Sequence, residues 1–136
     1  MTLEAGANEY EAFRVIVRAG EQPLPDVNLI VSDLTGPEGT IPSSNVTLFR
    51  EYYLNVFEPS LRSTAPTGWY PDALIPFVDP ETGQDIRGAK YDAAPFTIEA
   101  ATNQGYWADL FVPKGTAPGE YRGNVKVTSA DMTVAQ

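Results

Sequence analysis

The sequence predicts an all-β fold, an antiparallel β-sandwich, and three of its features carry that expectation. Apolar and β-branched residues alternate with polar ones at period two in several stretches, the pattern a half-buried strand needs. Gly and Pro, 11 and 12 residues respectively, interrupt those stretches wherever the chain must reverse. No apolar stripe at the 3.6-residue spacing of a helix runs for a useful length. A chain of 136 residues with 43% hydrophobic content is expected to form one domain over 1–136 with a core of its own.

The first strand is expected over 10–19, where Phe13, Val15 and Val17 share one face and Arg14, Ile16 and Arg18 the other. Gly20, Pro23 and Pro25 break the ladder. Val27, Leu29 and Val31 mark a second strand, and a Gly- and Pro-rich loop follows over 33–42. The longest candidate covers 46–57. Val46, Leu48, Tyr52, Leu54 and Val56 share one face, with Arg50 an exception among them; Thr47, Phe49, Glu51, Tyr53 and Asn55 share the other. Aromatics on both faces put this strand in a central position or beneath neighbouring chain. Further strands are expected over 96–101, 105–112 and 120–128, the last after a turn at 113–119. Tyr106 and Trp107 fall on opposite faces of their strand, so at least one should be buried. A set of about six to eight short strands divided by turns indicates a sandwich of the immunoglobulin or fibronectin kind.

The segment 58–95 breaks this regularity. It holds Pro59, Pro66, Pro71, Pro76, Pro80 and Pro95, half of the chain's 12 prolines, and shows no good strand. Loops beyond about 15 residues are uncommon in compact domains. Trp69, Tyr70, Leu74, Ile75 and Phe77 make this one too apolar for disorder, so it is expected as one long, ordered, Pro-rich loop folded onto the sandwich or a partner domain. Both ends of the chain read as truncated. Met1-Thr2-Leu3 runs almost directly into a strand pattern and 132–136 stops inside one, so further chain is expected on both sides.

Composition excludes several functions. The 9 basic and 18 acidic residues leave a net charge of −9, which disfavours nucleic acid and anionic membrane surfaces, since both require clustered Lys and Arg. There is no Cys, hence no disulfide or thiolate metal site, and no His, which removes the commonest general base and transition-metal ligand. A Ser-His-Asp or Cys-His centre cannot be assembled. No apolar run is long enough to span a bilayer, and no signal peptide is visible. No cofactor is expected.

A few motifs invite a functional reading. Asp79, Glu81 and Asp85 surround Gly83 at alternating spacing, as oxygen ligands do in a calcium loop, but Pro80 and the missing glutamate at the twelfth position favour a solvated turn. A glycosidase needs two carboxyl groups about 5–9.5 Å apart across a cleft. Only Asp72, after Trp69-Tyr70-Pro71, has a distinctive context, and capping backbone N–H groups in a Pro-initiated turn accounts for it. Tyr52, Tyr53, Trp69, Tyr70, Tyr91, Tyr106 and Trp107 could stack on sugar rings, although strand aromatics more often fill cores. Trp69 and Tyr70, expected in a loop, remain as contact residues, and packing against another domain explains them more simply than a glycan. Asn45-Val46-Thr47 matches a glycosylation acceptor, a pattern too short to carry weight.

Several stretches, in order over nearly the whole chain, resemble the N-terminal sandwich domain that precedes the catalytic barrel in glycoside hydrolase family 123 and its uncharacterised relatives. They are residues 7–13 (Ala-Asn-Glu-Tyr-Glu-Ala-Phe), 31–34, 48–56, 68–76 (Gly-Trp-Tyr-Pro-Asp-Ala-Leu-Ile-Pro), 102–104, and 107–114 with 118–123. The resemblance implies an accessory domain. In that family the chemistry belongs to a downstream barrel with an Asp-Glu pair, assisted by the substrate's N-acetyl group, and the known activity concerns β-linked N-acetylgalactosamine. No catalytic residue of that barrel falls within this chain.

The expectation is therefore a non-catalytic module that packs against a downstream catalytic domain of the same polypeptide and braces it. Trp69, Tyr70, Pro71, Asp72, Leu74 and Ile75 are the candidate contact residues. The rival is a carbohydrate-binding module using Trp69 and Tyr70. A standalone enzyme is disfavoured by the absence of His and Cys. The resemblance also implies an extracytoplasmic or secreted parent protein.

Overall fold

Period-two alternation becomes ten strands in the computed structural model, which describes residues 1–86 and 88–136. They are β1 (Glu9–Arg18), β2 (Leu24–Val31), β3 (Leu34–Gly36), β4 (Gly39–Ile41), β5 (Val46–Val56), β6 (Gly68–Pro76), β7 (Phe96–Ile98), β8 (Asn103–Val112), β9 (Val125–Ser129) and β10 (Met132–Ala135). A 3-10 turn, Ser43–Asn45, precedes β5.

The strands form two four-stranded sheets, β1-β8-β5-β6 and β10-β9-β2-β7, plus the β3-β4 hairpin. Every paired neighbour is antiparallel. One buried cluster draws Val17 and Tyr106 from the first sheet and Val27, Leu29, Ile98 and Val127 from the second. The two sheets therefore face each other across a shared core, the sandwich expected from alternation. A second cluster of Ile41, Leu110 and Val112, flanked by Leu3, Leu34, Val46 and Tyr121, is built around β4 and the ends of β5 and β8.

The Arg50 exception has a physical explanation. Its side chain enters the sandwich, with its guanidinium 4.0 Å above the Phe96 ring. Its Nε donates to the carbonyl of Asp92 at 3.0 Å. The aromatic face and the carbonyl replace water around a charge that is expensive to bury. Burial holds the Arg50 pKa below the ordinary arginine value.

Four expectations about the elements need correction. The loop expected over 33–42 is a hairpin, β3 paired with β4. The segment 58–95 is not one loop, because β6 lies within it and pairs with β5 from Phe49↔Pro76 to Val56↔Gly68. Pro71 and Pro76 are tolerated because β6 is at the edge of its sheet, where a missing N–H leaves no rung unmade. The strand expected over 120–128 starts only at Val125. Arg122 instead exchanges two backbone hydrogen bonds with Thr35, 2.8 and 2.9 Å, and the Tyr121 ring packs on Gly36 so closely that no Cβ would fit there. The strand expected over 96–101 stops at Ile98, since Thr102 turns back to bond the Glu99 carbonyl through both its N–H and its hydroxyl.

Candidate functional site

The outward face of the first sheet concentrates side chains that a solvated sheet does not need. Period two assigns its members. Val15 and Val17 of β1 point to the core, so Arg14 and Ile16 point out. Tyr106 and Ala108 of β8 are buried, so Gly105, Trp107 and Asp109 point out. On β5 the second face carries Phe49, Glu51 and Tyr53. The register sets Arg14, Trp107 and Phe49 in one row across three strands, and Leu74 of β6 lies opposite Glu51.

Arg14 and Glu51 form the centre of this face. Nε and Nη2 of Arg14 donate to Oε1 and Oε2 of Glu51, both at 2.6 Å. This is a side-on, bidentate pair, the strongest and most directional form of the contact. The Tyr53 hydroxyl donates to Oε2 at 3.2 Å. The Glu51 side chain is 3% exposed, whereas that of Arg14 is 42% exposed. One charge is therefore sealed and the other half open to whatever covers the sheet. Hydrogen bonding to Glu51 raises the Arg14 pKa, with burial opposing it. Burial, then the Glu51 charge, pushes the Tyr53 hydroxyl up.

Two neighbours make the pair possible. Gly105 has no side chain, and a Cβ there would collide with the Glu51 carboxylate. The β5–β8 register extends as far as Arg50↔Tyr106, and Gln104, buried on the inward side, continues the link one residue further. Its Nε2 donates to the carbonyls of Glu51 and Gly105 at 2.7 and 2.8 Å. Beside the pair, Trp107 donates from Nε1 to Asp109 Oδ1 at 2.7 Å, which fixes the indole along β8. Arg14, Glu51, Pro71, Asp72, Leu74 and Trp107 together line a shallow hollow of about 250 Å³.

The sequence candidates divide between the two faces. Pro71, Asp72 and Leu74 line the hollow. Trp69 lies opposite Asn55 on the same outward face and is 68% exposed. Tyr70 and Ile75, opposite Leu54 and Arg50, belong to the other face, and the Tyr70 hydroxyl donates to the Pro66 carbonyl at 2.5 Å. As neighbours on a strand rather than in a loop, Trp69 and Tyr70 project to opposite faces of β6. Asp72 is not in a turn either, since it sits at the bulge between Tyr52↔Ala73 and Tyr53↔Pro71.

Asp79 closes a turn. Its Oδ1 accepts the N–H groups of Glu81 at 2.8 Å and Thr82 at 3.2 Å, and Asp85 pairs with Val78 across the base. Among the described residues no group of three carboxylates is placed to hold a metal. Sequence reasoning missed Arg14, Glu51, Gly105 and Trp107 as a unit. The available signal was the second face of β5, where Glu51 stands between two aromatics.

Comparison with known proteins agrees with this architecture. The chain matches the family described as the glycoside hydrolase 123 N-terminal domain over residues 2–129. Among solved structures, a family 123 glycoside hydrolase from Clostridium perfringens, studied for glycolipid glycan hydrolysis, superposes with a TM-score of 0.68 at 20% identity. The alignment covers 94% of this chain and 19% of that one. At that identity the likeness is one of fold, and this chain spans about a fifth of the enzyme's length. No curated protein matches the chain. The match over nearly every residue establishes that the chain belongs to the glycoside hydrolase 123 N-terminal domain family.

Proposed function

We propose that this domain is a non-catalytic module of a larger glycoside hydrolase, and that it packs against the catalytic domain of the same polypeptide and braces it. The observation that carries the reading is β5. Its inward face contributes to the core, yet its outward face also bears Phe49, Glu51 and Tyr53, flanked by Trp107 and Leu74. A strand lined with aromatics on both faces is characteristic of a sheet covered on both sides, and the sandwich covers only one. Family membership supplies the context, because the family is defined as an N-terminal domain of glycoside hydrolases. The Arg14–Glu51 pair acts as a brace between β1 and β5: Glu51 already accepts hydrogen bonds from Arg14 and Tyr53 on its carboxylate.

The test is excision. Removing this domain from the hydrolase that carries it is expected to lower the melting temperature of the remaining catalytic domain. Unchanged melting and unchanged turnover would overturn the bracing role. A glycan contact retains one supporting observation, the exposed Trp69 ring. Binding of the domain to a glycan array, abolished by Trp69→Ala, would favour that reading instead.

A further inference from the structure

The two outward faces of this sandwich differ in chemistry. On the second sheet, Val27, Leu29 and Val127 point to the core, which leaves Asn28, Ile30 and Lys126 on the outward side of β2 and β9, with Ile30 the one large apolar side chain of these three, and Met132 and Val134 exposed on the edge strand β10. On the first sheet the outward face presents Ile16, 61% exposed, and Leu74, 43% exposed. Trp69 stands near one end of this face and the tilted Tyr10–Phe111 ring pair near the other, their ring centroids 4.8 Å apart.

We infer that the outward face of the first sheet, centred on Arg14, Trp107 and Leu74, is the surface that seats the catalytic domain, while the second sheet faces solvent. This inference rests on the bracing reading and names the surface that reading uses. Three observations favour the catalytic domain as the occupant. About four-fifths of the structurally similar family enzyme lies outside the region this chain matches, so a large folded body accompanies the sandwich fold in that protein. The hollow in this face is also small and open, only about 250 Å³, which suits a domain surface better than the enclosed pockets of several hundred Å³ that take small ligands.

The third observation concerns charge. Side-on pairing occupies Nε and Nη2 of Arg14, and the remaining Nη1 edge belongs to a side chain 42% exposed. An Arg beside a Trp within an apolar surround is the composition of an interface hot spot. A hydrogen-bond acceptor of the catalytic domain, a carboxylate or a backbone carbonyl, would complete that guanidinium.

The domain contains no Cys, so labelling read on this domain's own peptides by mass spectrometry reports only on the introduced thiol. Ile16→Cys, Leu74→Cys and Ile30→Cys variants of the full hydrolase would be reacted with a maleimide, natively and in urea. Labelling at positions 16 and 74 is expected to be slowed roughly tenfold or more relative to position 30, as for a buried interface. Equal labelling at all three positions would overturn the assignment of this face. So would protection at 16 and 74 that fades on dilution, which indicates a second copy, or that appears only with added glycan. Loss of catalytic-domain stability on excision together with free labelling at 16 and 74 would leave bracing intact and move the surface elsewhere. Protection without any stability change would keep the surface and remove the brace.

Discussion

Gly105 of β8 lies against the carboxylate of Glu51 on β5, so close that a methyl group at position 105 would overlap Oε2. The same methyl would fall 2.9 Å from the Tyr53 hydroxyl. Glycine is required here for space, not for backbone conformation, because its φ is not among the positive values of the chain. The outward face is therefore shaped to lay one carboxylate flat across a strand.

Gly105→Ala should accordingly cost about 2–3 kcal/mol, the range of overpacking in a tight site. In a Glu51→Ala background the obstacle is gone, and the same substitution should cost less than about 1 kcal/mol. Urea denaturation of the parent chain and the three variants measures both values. Equal costs in the two backgrounds would mean that Glu51 is not what Gly105 accommodates.

Arg14→Met strips the cation from a carboxylate that is 3% exposed. Breaking a fully buried pair costs about 3–5 kcal/mol, but the half-open Arg14 side chain admits solvent screening, so about 1–2 kcal/mol is expected. The double substitution Arg14→Met, Glu51→Met should be less damaging than the single one, because no charge is left unpaired. Thermal melts of the isolated chain test the order. A double variant less stable than Arg14→Met would refute it.

Tyr106 is 1% exposed, and its hydroxyl is buried without a hydrogen-bond partner among the described residues. Burial pushes its pKa up, with the Arg50 charge pulling the other way. A group whose folded pKa is raised stabilises the fold below its unfolded value, about 10 for tyrosine, and that stability declines as pH rises above it. Tyr106→Phe removes an unsatisfied polar atom at nearly constant volume. It should be neutral or stabilising by up to about 1 kcal/mol at pH 7, and the loss of stability above about pH 10 should become shallower. Melting temperatures from pH 7 to 11 provide the check. A clearly destabilised phenylalanine variant would point to a bond that the hydroxyl makes.

The class of fold was legible from the residues alone, because alternation is local. Val15 and Val17, or Tyr106 and Ala108, must share a face whatever the rest of the chain does. The residues also showed two anomalies, Arg50 on an apolar face and aromatics on both sides of β5, without explaining either. Their resolution came from contacts between distant parts of the chain. Arg50 needed the Phe96 ring and the Asp92 carbonyl, more than 40 residues away in each case. The strand β6 was hidden because Pro71, Pro76 and the bulge at Asp72 erase its period; its identity depends on β5 as a partner. Arg14 and Glu51 are 37 residues apart on strands that do not neighbour each other in the sheet, with β8 between them. Strand order is a non-local property, set by which faces bury best against one another, so no window of sequence contains the pair that centres the candidate site.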